Sequence, residues 1–189
     1  GTGSVVKVGS TYYLFYTGHP NSGNEKVMVA TGSSPTSFTK EAGFSISAPW
    51  WYSNQTDFRD PQAYYDATTD TINLTITAQK NGTPMILRYT VKSDLSGASY
   101  KSEVFANDQS LVNVYNLECS DTFKIGNKWY ITYSAQNDTM WYASSNSQYS
   151  GYGTAKRLDG KVLYAAKHVE DGNGNSYLIG WSRKNADDL

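Results

Sequence analysis

Thr11-Tyr12-Tyr13-Leu14-Phe15-Tyr16-Thr17 is β-branched and aromatic almost throughout and follows the turn residues Gly9-Ser10. That composition and punctuation read as a strand entered from a tight turn. The same type of run returns as Ile72-Asn73-Leu74-Thr75-Ile76-Thr77, as Trp129-Tyr130-Ile131-Thr132-Tyr133-Ser134 and as Tyr177-Leu178-Ile179-Gly180-Trp181. After each of the first three, a polar turn leads into a second strand: Lys26 to Ala30, Met85 to Val91, and Thr139 to Ala143. The hairpins recur every 50–60 residues or so, and no segment carries a helical period. The chain is therefore expected to be all-β, with propeller blades favoured over a sandwich.

About three full blades and part of another fit within 189 residues, fewer than the roughly four blades that close the smallest propellers. The chain opens at Gly1-Thr2-Gly3-Ser4, just before a strand, and stops at Asp187-Asp188-Leu189, soon after one. The expectation is an interior piece of a larger ring, residues 1–189 forming one incomplete propeller domain. Association with further chain to complete the ring follows from it.

Composition narrows the function. The net charge of -1, from 16 Lys+Arg against 17 Asp+Glu, offers no basic stripe for nucleic acid. Sixteen Tyr and five Trp supply side chains with an apolar face and a polar handle, suited to β-sheets and to sugar surfaces. Cys119 is the one cysteine, and His19 and His168 lie far apart, so no metal site or cofactor is expected. No signal peptide, long apolar run or lipid anchor is visible, and no membrane partner is expected. Compartment stays open, with secreted or cell-surface placement favoured over cytoplasmic.

Two acidic motifs stand just before the second and third hairpins: Phe58-Arg59-Asp60-Pro61 and Leu117-Glu118-Cys119-Ser120-Asp121. Arg59 beside Asp60 suggests a charge-paired carboxylate. Leu117 and Cys119 beside Glu118 suggest a drier one. One carboxylate kept charged and one kept neutral is what glycosidic bond cleavage uses. Innermost strands of successive blades line a central channel, so at equivalent positions both groups point into one funnel.

These motifs resemble the Arg-Asp-Pro and Glu-Cys motifs of glycoside hydrolase family 32, the β-fructofuranosidases (invertases, inulinases, levanases). Gly3-Ser4-Val5-Val6 with Leu14-Phe15-Tyr16-Thr17-Gly18 is similar to the family's second-blade opening, and Tyr164-Ala165-Ala166-Lys167 with Gly180-Trp181 to its fourth-blade signatures. The resemblance implies a five-bladed propeller, followed by a β-sandwich that this chain does not contain. It implies retaining hydrolysis of terminal β-D-fructofuranosyl units in sucrose or fructans. Glu118 would be the acid/base and Asp60 the transition-state stabiliser, with Arg59 orienting its network. Thr2, Tyr164 and Trp181 would contact sugar.

The family's nucleophile belongs to an Asn-Asp-Pro motif in the first blade. Neither Asn107-Asp108 nor Asn137-Asp138 is followed by Pro, so the fragment is expected to be nearly inactive. Two other readings remain: a related propeller glycosidase acting on arabinose or xylose, or a non-catalytic carbohydrate-binding propeller. Asp171-Gly172-Asn173-Gly174-Asn175 starts like a calcium loop, but the twelfth position is Ser182 rather than Glu, and a hairpin turn is expected. Trp50-Trp51-Tyr52 reads equally as a sugar platform or an inter-blade plug. Sequons start at Asn54, Asn73, Asn81 and Asn137.

Overall fold

The computed structural model describes residues 2–21, 23–108, 113–136, 138–158 and 163–182. Among them there is no helix. Three four-stranded antiparallel meanders follow one another: β1 (Ser4–Val8) to β4 (Ser37–Lys40), β5 (Phe58–Asp66) to β8 (Ala98–Ala106), and β9 (Leu117–Ile125) to β12 (Lys156–Arg157). A two-stranded sheet, β13 (Leu163–Glu170) and β14 (Ser176–Ser182), begins a fourth. Within each meander the strands pair in chain order, as blades do. The repeated runs read from the sequence are the second strand of each sheet: β2 (Thr11–Gly18), β6 (Thr71–Lys80), β10 (Lys128–Ala135) and β14.

The sheets pack face to face. Phe15, Val27 and Val29 of the first sheet form one core with Phe58, Ile72, Leu74, Ile76, Leu87 and Val91 of the second. Ile86 and Val104 meet Leu117, Ile131, Tyr133 and Ala143 to form the next. Full burial of one such side chain stabilises by roughly 1.5–3 kcal/mol. β6 shows what stacking does to an alternating strand. Its apolar set Ile72, Leu74, Ile76 and Ala78 faces the first core, and its polar set Asn73, Thr75 and Thr77 is equally buried on the other face. Thr77 Oγ1 stitches the blade to the next, donating to Leu117 O at 2.7 Å, while Asn73 Oδ1 accepts from Arg88 within its own sheet. A buried hydroxyl or amide is tolerated there because it is paired.

The inner strands share one irregularity. β5, β9 and β13 each carry a bulge near the N-terminal end, at Asp60-Pro61, Cys119-Ser120 and Ala165-Ala166. Asp60, Cys119 and Ala165 take left-handed backbone with φ of 56°, 54° and 54°, a conformation L-residues enter only at a cost of about 1–2 kcal/mol. The residues just before them, Arg59, Glu118 and Tyr164, keep regular pairing with β6, β10 and β14. This repeat corrects the expected equivalence of Asp60 and Glu118. In register, Glu118 matches Arg59, and Asp60 matches Cys119.

Candidate active site

Arg59 is the hub. Its Nη1 donates to Asp57 Oδ1 at 2.7 Å and to Glu25 Oε2 at 3.0 Å. Its Nη2 and Nε donate to Glu118 Oε1 at 2.8 and 3.2 Å. Tyr164 Oη donates to the other oxygen of Glu118. Three register-equivalent residues on three blades thus touch in sequence, Arg59 to Glu118 to Tyr164. Burial works against the Arg59 charge, but bonds from Asp57, Glu118 and Glu25 outweigh it and hold the guanidinium firmly protonated. Burial likewise pushes the Asp57 carboxyl up, yet its bonds from Arg59, Asn54 and Asn116 leave it below the usual range.

Asp60 faces elsewhere. Its Oδ1 accepts from Thr2 N at 2.6 Å, and its Oδ2 from Cys119 N at 3.1 Å and from the Cys119 thiol at 3.5 Å. Its own N–H donates to Thr17 Oγ1 at 3.0 Å, as Ala165 N does to Ser134 Oγ. Burial, followed by the neighbouring Asp60 charge, pushes the Cys119 thiol up to about 12, so it serves as a donor. The expected surroundings of the two carboxylates are therefore exchanged. Asp60 is the dry one, 1% exposed and held by main-chain donors, and Glu118 is the charge-paired one, its side chain 18% exposed. The left-handed residue after Arg59 is the reason: Arg59 reaches forward to Glu118 while Asp60 turns toward Thr2 and Cys119.

Below the bulges lie two further ionisable groups, each bonded to main chain. Lys167 as a residue is half-buried, but its ammonium points inward and donates to Ser120 O at 2.7 Å. Asp121, 5% exposed, accepts from His168 N at 2.6 Å. Burial pushes the Lys167 ammonium down, opposed by Asp121, Cys119 and Asp60. Burial pushes the Asp121 carboxyl up, opposed by Lys167.

The structure brings Glu118, Arg59 and Tyr164 together, and Asp60 with Thr2. Trp181 pairs opposite Tyr164, the ring centroids 6.5 Å apart, and is 61% exposed. Sequence reasoning missed Glu25 and Asp57. Asp57 stood two residues from Arg59 and was legible as a neighbour; Glu25 comes from the connection between β2 and β3 (Lys26–Ser34) and carried no signal. A cavity of about 800 Å³ opens beside Thr17, Gly18, His19 and Lys26, and its lining includes neither Asp60 nor Glu118. Asp171 is occupied by its hairpin, accepting from Asn173 N, Asn175 N and Tyr177 Oη. Of the sequon asparagines, Asn73 is 3% exposed and bonded to Arg88, Asn81 is exposed in a turn, and Asn137 lies outside the described residues.

The arrangement is a carboxyl group gripped on both oxygens at the mouth of a blade junction, with a second carboxylate sealed behind it. A search of curated protein sequences finds no match. Among solved structures, a β-fructofuranosidase of Bombyx mori in complex with sucrose superposes with a TM-score of 0.77 at 22% identity, over 96% of this chain and 43% of that one. The sucrose-6-phosphate hydrolase of Lactobacillus gasseri gives 0.74 at 18% identity, over 96% and 41%. Fructan 1-exohydrolase IIa of Cichorium intybus in complex with 1-kestose gives 0.71 at 15% identity, over 92% and 38%. The chain thus spans about two fifths of their length, and at these identities the likeness establishes the shared propeller fold. The sequence itself matches the glycosyl hydrolases family 32 N-terminal domain over residues 2–188, and the chain belongs to that family.

Proposed function

We propose that these residues are the acid/base half of a retaining β-fructofuranosidase, which removes terminal fructosyl units from sucrose or fructans. The observation that carries the reading is the grip on Glu118 by Arg59 and Tyr164, one on each oxygen. A group that takes and gives a proton at one position must be held in a fixed plane, and two partners from two different blades hold the Glu118 carboxyl group so. In the first step the Glu118 carboxyl gives its proton to the glycosidic oxygen as the C–O bond breaks, and a nucleophilic carboxylate bonds to the anomeric carbon. In the second, the Glu118 carboxylate takes a proton from water as that water displaces the ester.

Residues outside this sequence supply the nucleophile in this reading. Asp57 and Glu25 are engaged by Arg59, and Asp60 is 1% exposed. Asp60 acts as the transition-state stabiliser in this reading; its Oδ1 carries one bond, from Thr2 N, and keeps a second lone pair for a fructose hydroxyl. Trp181, exposed beside Tyr164, lines the sugar pocket. Ring closure by further chain covers two apolar surfaces, the half-buried Tyr12, Leu14 and Tyr16 on β2, and the exposed Tyr177 and Ile179 on β14.

The test is fructose release from sucrose, inulin and levan by the protein joined to an Asn-Asp-Pro-bearing first blade, with Glu118→Gln alongside. Loss of about 10²–10⁴-fold in turnover with an unchanged melting temperature supports the assignment. Equal turnover in the variant overturns it.

A further inference from the structure

The grip on Glu118 poses an electrostatic problem. Two N–H bonds from the Arg59 guanidinium and one O–H bond from Tyr164 all favour a carboxylate over the acid. The first step of glycoside hydrolysis, however, needs the protonated acid. An arginine paired with this carboxyl group alone would strip it of the proton it has to give.

Arg59 is not paired with Glu118 alone. Its Nη1 donates to Asp57 Oδ1 at 2.7 Å and to Glu25 Oε2 at 3.0 Å, so one cation serves three carboxylates. The Arg59 and Glu25 side chains are each 12% exposed, and water screens charges so placed only weakly. Neutral donors fix both extra carboxylates. Asp57 Oδ1 also accepts from Asn116 Nδ2 at 3.0 Å, and its Oδ2 from Asn54 Nδ2 at 2.8 Å. Glu25 Oε2 also accepts from Phe58 N at 3.2 Å, while Glu25 N donates to Thr56 O at 3.3 Å. Burial pushes the Asp57 carboxyl up, but its bonds from Arg59, Asn54 and Asn116 outweigh that and keep it ionised.

The other charged groups of the junction are engaged elsewhere. Asp60 accepts from Thr2 N and Cys119 N, and Lys167 donates to Ser120 O. His19 Nε2 lies 3.8 Å from Glu25 Oε1 on a side chain 80% exposed. From β10, the residue opposite Glu118 is the uncharged Ser134. The charge balance at Glu118 is therefore set by Arg59 against Asp57 and Glu25.

We propose that Asp57 and Glu25 are positioning residues for proton transfer, sharing the Arg59 charge so that Glu118 keeps the proton it delivers to the leaving group. This rests on the fructosidase reading above. With all three carboxyl groups ionised the cluster carries an excess of negative charge, and a proton on Glu118 relieves it. Removing Asp57 or Glu25 leaves Arg59 to favour the Glu118 carboxylate, so the acid form is lost at a lower pH.

The protein joined to the first blade, isotope-labelled at the glutamate side-chain carboxyl, is titrated by NMR; the Glu118 signal is the one missing from Glu118→Gln. Asp57→Asn and Glu25→Gln are each expected to lower its midpoint by about one pH unit, and to move the basic limb of kcat/KM for sucrose down with it. Asp57→Glu, which keeps the charge, is expected to restore most of the shift. Asn116→Ala removes a support of Asp57 but no charge, and is expected to lower stability with the limb in place. An unmoved midpoint and limb in both charge-removing variants overturns the inference and leaves the fructosidase reading standing. A limb moved as far by Asn116→Ala as by Asp57→Asn does the same. Full turnover in Glu118→Gln, or no fructose release by the parent, overturns both.

Discussion

Arg59 donates from Nη2 and Nε to a single oxygen of Glu118, 59 residues along the chain, at 2.8 and 3.2 Å. The guanidinium also holds Glu25 and Asp57, so one cation from β5 serves carboxylates from three stretches of chain. This cluster joins the first three sheets at the rim of the proposed site.

Replacing Arg59 with Met leaves three neighbouring carboxylates without their cation. Unfolding free energy is expected to fall by about 3–5 kcal/mol at neutral pH. Arg59→Lys recovers only part, because an ammonium cannot reproduce the planar fork. Urea midpoints of the three proteins check this, and an unchanged midpoint in Arg59→Met contradicts it.

Asp57 gives the cluster a pH dependence. Its carboxyl is held below the usual range, so the folded state favours the carboxylate. That contribution is full above about pH 3.9, the unfolded value, and is lost as pH falls through the lower folded one. Asp57→Asn is therefore expected to be less stable than the parent near pH 6, with the gap closing as pH falls below about 3.9. Urea titrations across this range read the gap directly.

Lys167→Met removes the cation beside buried Asp121 and a donor from Ser120 O. A loss of about 1.5–3 kcal/mol, the contribution of a hydrogen bond from a charged group, is expected near pH 7. The Asp121 carboxyl is already raised by burial and rises further without Lys167. The folded variant thus binds its proton more readily than the unfolded chain, and the deficit shrinks as pH falls. Adding Asp121→Asn should return part of the loss at pH 7; no recovery in the double variant would contradict the electrostatic coupling of the two groups.

Gly180 on β14 faces the β13 bulge with no room for a side chain. A Cβ there would lie 2.7 Å from Tyr164 O and 2.8 Å from Ala166 Cβ. Gly180→Ala is expected to cost about 1–3 kcal/mol and to lower turnover by moving Tyr164 off Glu118. Gly172→Ala, where nothing lies within 4 Å, is the control. Melting temperatures and fructose release, measured together in the catalytically complete protein, test both parts.

Tyr164→Phe keeps the ring and removes the donor to Glu118. A hydrogen bond to a charged group contributes about 1.5–3 kcal/mol, so turnover is expected to fall about 10- to 100-fold with little change in KM. Steady-state kinetics of the complete protein check this; a KM effect alone would make Tyr164 a binding group only.

Much of the architecture was legible in the linear chain. Ile72-Asn73-Leu74-Thr75-Ile76-Thr77 alternates cleanly and forms β6, but alternation alone describes a strand with one wet face. Stacked blades bury Asn73 and Thr75 as deeply as Ile72, a tertiary effect on a pattern of local type. Trp50-Trp51-Tyr52 could not be parsed locally either. The structure divides it into two exposed rings and a plug, because only Tyr52 reaches Glu103 and Met85.

The sequence by itself determined the strand repeat, the blade count and the placing of Arg59-Asp60 and Glu118 on successive inner strands, all consequences of side-chain period and turn chemistry within short windows. Which carboxylate meets the arginine was decided only in three dimensions. One left-handed residue in each inner strand turns Asp60 toward Thr2 and Cys119 and leaves Arg59 to Glu118, and the β2–β3 connection adds Glu25. Those partners lie 34 to 59 residues apart, and blade stacking, which no local window encodes, brings them within hydrogen-bonding distance.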